Sequence, residues 1–183
     1  MTQPQLDWFP LAECPGIPIN AHPGAFGCAR RHNFHEGVDL YGRPGNYVRA
    51  IRDGVVVANR PFTGPVAGCS WWLDTDAVLV QDETGFFCYG ELKNSLKLGE
   101  SVKRGQVIGS LVPVLPREKF RSDIPGHSVT MLHLERYSSG YHPDLGWASW
   151  AKREDRPDYL EDPTPILIAA LSSRGDSPTL LPL

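Results

Sequence analysis

The segment from residue 32 to residue 39 holds the densest group of side chains that can bind a metal ion. His35 and Asp39 offer a nitrogen and an oxygen ligand, a pair that suits Zn²⁺. In an extended strand they would lie about 13 Å apart, too far to share an ion with bonds of roughly 2.1 Å. Joint ligation therefore requires a bend, for which Gly37 supplies the freedom. The alternative is a surface histidine and a turn aspartate without an ion.

A second candidate ligand, His133, lies in the strand-like run of residues 131–135. Period-two alternation places Met131, His133 and Glu135 on one face of such a strand. Taken alone, a histidine in this setting is more often a hydrogen-bonded core residue than a metal ligand. Both interpretations stay open on this fragment.

Short strands are the elements that must position these side chains. The chain has 18 glycines and 17 prolines among 183 residues, which is typical of many turns and few long helices. Strand-like segments occur at residues 47–51, 54–58, 77–81, 86–89, 106–109 and 131–135. The Asp53-Gly54 pair predicts a hairpin between the first two of these segments. The pattern predicts an all-β fold of mostly antiparallel strands in a sandwich or barrel-like sheet.

The positions of prolines and glycines also predict the domain organisation. Prolines and glycines in residues 1–34 predict an irregular N-terminal wrap over the core. A short C-terminal helix is expected through residues 166–171, opened by prolines that a first turn tolerates. We expect one domain over residues 1–171, with its core in residues 24–137, and a flexible tail over residues 172–183.

Charge and composition exclude several classes of partner. The net charge is −3, so no broad positive field favours nucleic acid or an anionic membrane. No run spans a bilayer, and the first residues lack a secretory signal, which predicts either a cytoplasmic location or export by a non-classical route. The four cysteines are sparse, and the sequence leaves open whether they are free thiols or disulfides.

Four motifs in order carry a family resemblance. They are Phe34-His35-Glu36-Gly37-Val38-Asp39-Leu40, the hairpin-like residues 44–56, the Gly-rich residues 102–109 and Leu132-His133-Leu134-Glu135. Together they resemble the lysostaphin-type zinc endopeptidases of bacterial cell walls, whose β-sheet fold is called the duplicated hybrid motif. The resemblance implies that His35, Asp39 and His133 are zinc ligands with an open fourth position, which catalysis requires.

Two positions depart from that family. Its enzymes carry further histidines beside the zinc, where this chain has Glu91 and Met131. A thioether cannot transfer protons at neutral pH, so Met131 cannot take over the role of a histidine. Glu91 could act as a general base if buried, and the alternative is a solvent-facing glutamate. His127 could replace the lost proton donor, or it is a surface-loop residue.

Two further pairs flank these segments. Arg30 and Arg31 could bind a substrate carboxylate, or they are solvated surface charges. Trp71 and Trp72 could line a groove for a peptide or glycan, and core packing explains them equally well.

Three functions are consistent with these residues. The first is a zinc hydrolase of amide bonds in peptidoglycan peptides, with Glu91 as the base and His127 steadying the intermediate. The second is a catalytically inactive zinc-binding module that recognises peptide or glycan, as in the leukocyte chemotaxin branch of the fold. The third is a β fold that serves protein contacts without an ion. The oligomeric state is not predicted.

Overall fold

The computed structural model describes residues 6–119 and 129–182. The strands are Ile17–Pro18 (β1), Val38–Tyr41 (β2), Tyr47–Arg49 (β3), Gly54–Thr63 (β4), Thr75–Asp82 (β5), Gly85–Lys93 (β6), Ser101–Val102 (β7), Val107–Leu111 (β8), Met131–Ser138 (β9), Leu160–Glu161 (β10) and Leu180–Leu181 (β11). The α-helix is Thr164–Ser172 (α1), and short 3₁₀ turns are Pro65–Ala67, Arg117–Lys119, Pro143–Leu145 and Arg153–Asp155.

A large antiparallel sheet organises the described part of the chain. Its strands run in the order β10, β9, β6, β5, β4 and β7, while β2 also pairs with β9 and β8 links β3 to β6. The predicted all-β, mostly antiparallel fold with one short C-terminal helix is confirmed. The ends of this strand order do not meet in the described residues, so the sheet is not a closed barrel.

Apolar side chains cover both faces of the sheet. The larger cluster contains Val38 and Leu40 of β2 together with Leu132 and Leu134 of β9. The same cluster includes Phe9, Leu11 and Ile17 from the N-terminal wrap. It also includes Leu167 and Ala170 from α1. A second cluster packs Leu79, Cys88, Tyr137 and Trp150 together. Burial of this surface is the main force that holds the strands in register.

The hairpin expected at Asp53-Gly54 is wrong. β3 pairs with β8, whereas β4 pairs with β5 and β7. The Asp53 carboxylate instead accepts a hydrogen bond of 2.7 Å from the backbone N–H of Arg104, which ties the connection to the turn before β8. Tertiary pairing therefore overrides a local turn signal here.

Several smaller features complete the fold. All four cysteines are free thiols. Within the segment expected to be a flexible tail, Leu180–Leu181 pairs in parallel with Ile17–Pro18. The domain boundaries stay a prediction. In the described ranges, no helix is both long and apolar enough to cross a membrane.

Candidate metal centre

The β2–β9 ladder positions two of the three candidate ligands. Asp39 lies directly opposite His133 in the antiparallel register. Their neighbours Leu40 and Leu134 belong to the large apolar cluster, so strand alternation turns Asp39 and His133 to the other face. The two side chains are buried, with exposed fractions of 6% each. Hydrophobic packing on one face thus sets a polar pair on the other.

His35 reaches this pair from the segment that precedes β2. Its backbone is held by hydrogen bonds with Cys28 and Gly27, and its side chain is fully buried. The bend predicted at Gly37 places this glycine against β9, where an added Cβ would lie 2.4 Å from the carbonyl oxygen of Leu134. Only glycine fits this close approach.

Three ligand atoms converge at this point. His35 Nε2 lies 3.1 Å from Asp39 Oδ1 and 3.1 Å from His133 Nδ1, and Asp39 Oδ1 lies 2.9 Å from His133 Nδ1. Tetrahedral zinc with bonds of about 2.1 Å would separate its ligand atoms by about 3.4 Å. The spacing of the three atoms therefore fits a common zinc ion after a small relaxation.

The outward-facing polar atom of each candidate ligand is already bonded. His35 Nδ1 donates to the carbonyl oxygen of Ala25 at 3.0 Å, and His133 Nε2 donates to Glu135 Oε1 at 2.8 Å. Asp39 Oδ2 accepts from Arg30 Nη2 at 3.0 Å. Because these bonds fix the tautomers, the lone pairs of both neutral imidazoles point at the Asp39 carboxylate. Such an arrangement needs a cation or an added proton between the rings.

The pKa values of Asp39 and His133 show how this centre favours positive charge between the rings. Burial alone would raise the pKa of Asp39, but once the rings carry an added proton, the charge of His35 and hydrogen bonds from both histidines hold the pKa of Asp39 well below its usual range. Burial lowers the pKa of His133, yet hydrogen bonds with Asp39 and Glu135 raise it well above its ordinary value. Glu135 also accepts a hydrogen bond from the Tyr137 hydroxyl. The carboxylates of Asp39 and Glu135 therefore favour positive charge at the imidazoles between them.

Glu91 reaches the centre through a β-bulge. Gly90 and Glu91 of β6 lie opposite the single residue Ala77 of β5, and Glu91 adopts a φ of 64°. Simple strand alternation would place Glu91 on the same face as Tyr89, but the bulge reverses the alternation. A non-glycine residue in the left-handed region at a bulge is typical of a functional position.

The Glu91 carboxyl group is buried without a full set of partners. Its side chain is only 7% exposed, and Oε2 has no hydrogen-bond partner among the described residues. Burial first, and then the charge of Asp39, raise the pKa of Glu91 to about 8. Glu91 is therefore buried, and the solvent-facing alternative is wrong.

Met131 and Tyr41 form the next cross-strand pair on the same face of the β2–β9 ladder as Asp39 and His133. They face each other across the β2–β9 ladder and pack with Val114. Burial and the charge of Asp39 raise the pKa of Tyr41, so its hydroxyl group stays protonated at neutral pH. No motif in the sequence marks Tyr41 as a functional residue. The signal was its position two residues after Asp39 in a strand.

The other candidates have mixed outcomes. Arg30 contacts Asp39, whereas no contact joins Arg31 to the centre within the described residues. Trp71 is 74% exposed, so core packing does not explain it, and Trp72 is 39% exposed on the same loop. His127 lies outside the described residues, and its role stays a prediction.

The family follows from sequence comparison. Residues 33–141 match Peptidase family M23, a range that covers more than half of the chain and includes all three candidate ligands and Glu91. A chain with this match is a peptidase-like hydrolase by class. It belongs to Peptidase family M23. Comparison with curated proteins gives no significant match.

Solved structures show the same fold. The catalytic domain of the antimicrobial peptidase lysostaphin from Staphylococcus simulans has 21% identity and a TM-score of 0.50, over 79% of this chain and 88% of that chain. CbpA from L. salivarius REN has 23% identity and a TM-score of 0.52, over 86% of this chain and 91% of that chain. Helicobacter pylori Csd3 has 25% identity and a TM-score of 0.46, over 73% of this chain. The chain spans only 30% of the Csd3 chain.

Proposed function

We propose that this protein is a zinc-dependent hydrolase that cuts amide bonds in peptides of bacterial peptidoglycan. The observation that supports it most is the convergence of His35 Nε2, Asp39 Oδ1 and His133 Nδ1 within 3.1 Å of one another. Family membership supplies the peptidase chemistry, and the fold is shared with the lysostaphin catalytic domain.

The charges around the centre support a divalent cation. Asp39, Glu91 and Glu135 are buried carboxyl groups, and Arg30 is the cationic side chain bonded to one of them. With all three carboxyl groups ionised, two negative charges remain uncompensated. Two imidazoles and a carboxylate are ligands that Zn²⁺ favours. A zinc ion held by His35, Asp39 and His133 would polarise a substrate carbonyl and lower the pKa of a water molecule.

Glu91 is the general base in this proposal. Burial raises the pKa of Glu91, which makes its carboxylate a better proton acceptor than an exposed one for a water molecule that attacks the amide carbon. The same group then delivers that proton to the nitrogen of the leaving amine as the C–N bond breaks. Its unpartnered Oε2 atom leaves a position free for the water.

The test is hydrolysis of defined substrates by the zinc-loaded protein. Purified peptidoglycan and short glycine or D-amino-acid peptides are incubated with the protein, and new amino groups are measured. Loss of a positioned general base costs about 10²–10⁴-fold in rate, so Glu91→Gln should lower turnover by that factor. Glu83→Gln is the matched control, because Glu83 is exposed in the turn at the other end of β6. No turnover by the wild-type protein would discard the proposal.

A second candidate function is a zinc-binding module that recognises peptide or glycan without cutting it. Met131 favours it, because a thioether next to His133 supplies no proton transfer. The exposed Trp71 side chain offers a stacking surface for such a ligand. In that case zinc stabilises the protein, peptidoglycan fragments bind to it, and no new amino groups appear.

A further inference from the structure

Tyr41 is a hydrogen-bond donor that nothing else in the centre uses. In the β2–β9 ladder, the rung Asp39/His133 is followed on the same face by the rung Tyr41/Met131. Tyr41 is 8% exposed, and its hydroxyl group makes no hydrogen bond within the part of the chain that the structure describes. A buried phenol normally has a partner for this group. The O–H group is therefore available to donate a hydrogen bond to a molecule bound at the centre.

The hydroxyl group lies beside the metal ligands. A Cβ added to Gly24 would lie 2.7 Å from the Tyr41 hydroxyl oxygen and 3.1 Å from Cβ of Asp39, so both side chains border the same glycine. Asp39 and Glu91 are among the charged groups that act on the Tyr41 hydroxyl. Gly24 keeps this side of the centre open, and any larger residue would press on Tyr41.

Packing holds the tyrosine ring in place. Met131 lies directly opposite and joins Tyr41 and Val114 in one buried cluster. The His22 ring packs at 5.7 Å on Tyr41. Arg30 is the other donor near Asp39, and its Nη2 atom is already bonded to Asp39 and to the carbonyl oxygen of Pro23. Tyr41 is thus a rigid donor with a free O–H group.

We propose that the Tyr41 hydroxyl group donates a hydrogen bond to an oxyanion bound at this centre, which in the proposed hydrolysis is the oxygen of the tetrahedral intermediate. This inference deepens the proposed function and rests on it for the identity of the substrate. The tyrosine keeps its proton throughout and stabilises developing negative charge. Such donors act only where charge appears, so they favour the transition state over the bound substrate.

The first experiment measures oxyanion binding without turnover. Inorganic phosphate is titrated calorimetrically into zinc-loaded wild-type protein and Tyr41→Phe, after zinc content has been shown equal by mass spectrometry. One hydrogen bond to a charged group predicts about tenfold weaker phosphate binding for Tyr41→Phe. Tyr47→Phe is the control, since Tyr47 is 63% exposed on β3, and it should bind as wild type does. Equal affinities, or no phosphate binding by wild type, would overturn the inference.

The second experiment measures turnover and separates the two proposals. Removal of one oxyanion donor predicts a fall in kcat of about 10²-fold for Tyr41→Phe with little change in KM. Equal kcat values for the two proteins would overturn the inference while leaving the hydrolase intact. If wild type cuts no peptide but its phosphate binding still depends on Tyr41, the proposed function fails and the oxyanion site stands.

Discussion

Strand β9 contributes to two buried polar clusters, and they differ in how acidic and basic side chains are matched among the described residues. Arg136 and Asp82 pair at 2.8 Å, Arg52 pairs with Asp7 at 2.5 Å, and Thr84 closes the network, so opposite charges balance. At the candidate metal centre, three residues away on the same strand, three buried carboxyl groups and two imidazoles lie together, and Arg30 is the guanidinium bonded to one of the carboxyl groups. Buried charge that is balanced internally is structural, whereas a buried cluster of ionisable groups with perturbed pKa values marks a candidate functional site.

The largest expected difference between the two clusters is how strongly each one responds to zinc in the free energy of unfolding. We expect zinc at a thousandfold excess over its dissociation constant to raise the free energy of unfolding by about 4 kcal/mol, because the ion binds the folded state alone. Asp39→Asn should abolish this gain by removing one ligand. Urea unfolding with zinc and with chelator measures it. A wild-type midpoint that chelator leaves unmoved would contradict the prediction.

The matched substitution in the Arg136–Asp82 cluster should behave in the opposite way. Asp82→Asn removes the shorter of the two ion pairs of the buried Arg136 side chain and leaves the one with Glu161 at 3.6 Å, which costs about 3 kcal/mol. The loss should be equal with zinc and with chelator, because Asp82 does not contact the candidate ligands. The same urea titrations measure it. A smaller zinc-induced gain in Asp82→Asn would mean that the clusters are coupled.

The family resemblance was enough to propose the ligand set, but not the groups around it. His35, Asp39 and His133 are the ligand types that zinc favours, and the structure brings them together. Glu91 was proposed, yet its bulge was not foreseen, because a bulge depends on how two strands pair. Tyr41 was missed because a tyrosine in an apolar strand is usually a core-packing residue. The Arg136–Asp82 pair joins residues 54 apart in sequence, which no local pattern shows.

A pH titration of the metal-free protein tests whether the buried Glu91 carboxyl group at the candidate metal centre holds a proton. The pKa of Glu91 is raised to about 8, so the folded state holds a proton that the unfolded state releases above its ordinary value near 4.5. Stability from this group is complete below the unfolded pKa and is lost as the pH rises toward 8. Between pH 5 and pH 7 the loss should be about 2 to 3 kcal/mol.

Glu91→Gln removes this titration, so the difference in unfolding free energy between the variant and wild type should grow over the same interval. Glu83→Gln, in the exposed turn, should show no such trend. Chelator is kept in every sample, since zinc near Glu91 would shift its pKa. A difference between Glu91→Gln and wild type that is independent of pH would show that the carboxyl group is already ionised at pH 5.

The smallest expected effect comes from a substitution at Glu135, which orients the ring of one candidate ligand, His133. Its carboxylate accepts the Nε2 proton of His133 at 2.8 Å, which leaves Nδ1 free to face Asp39 and His35. Glu135→Gln keeps the shape of the side chain but weakens this preference, because the amide can also donate to Nε2. We expect a loss of zinc affinity of about 10- to 100-fold, measured by competition with a chromophoric chelator. Cys88 packs opposite Glu135, so Cys88→Ala serves as the control for a local packing change that leaves the hydrogen bond intact. Unchanged affinity in Glu135→Gln would show that the β2–β9 ladder alone fixes the His133 ring, and the metal centre would then depend on the sheet rather than on its polar surroundings.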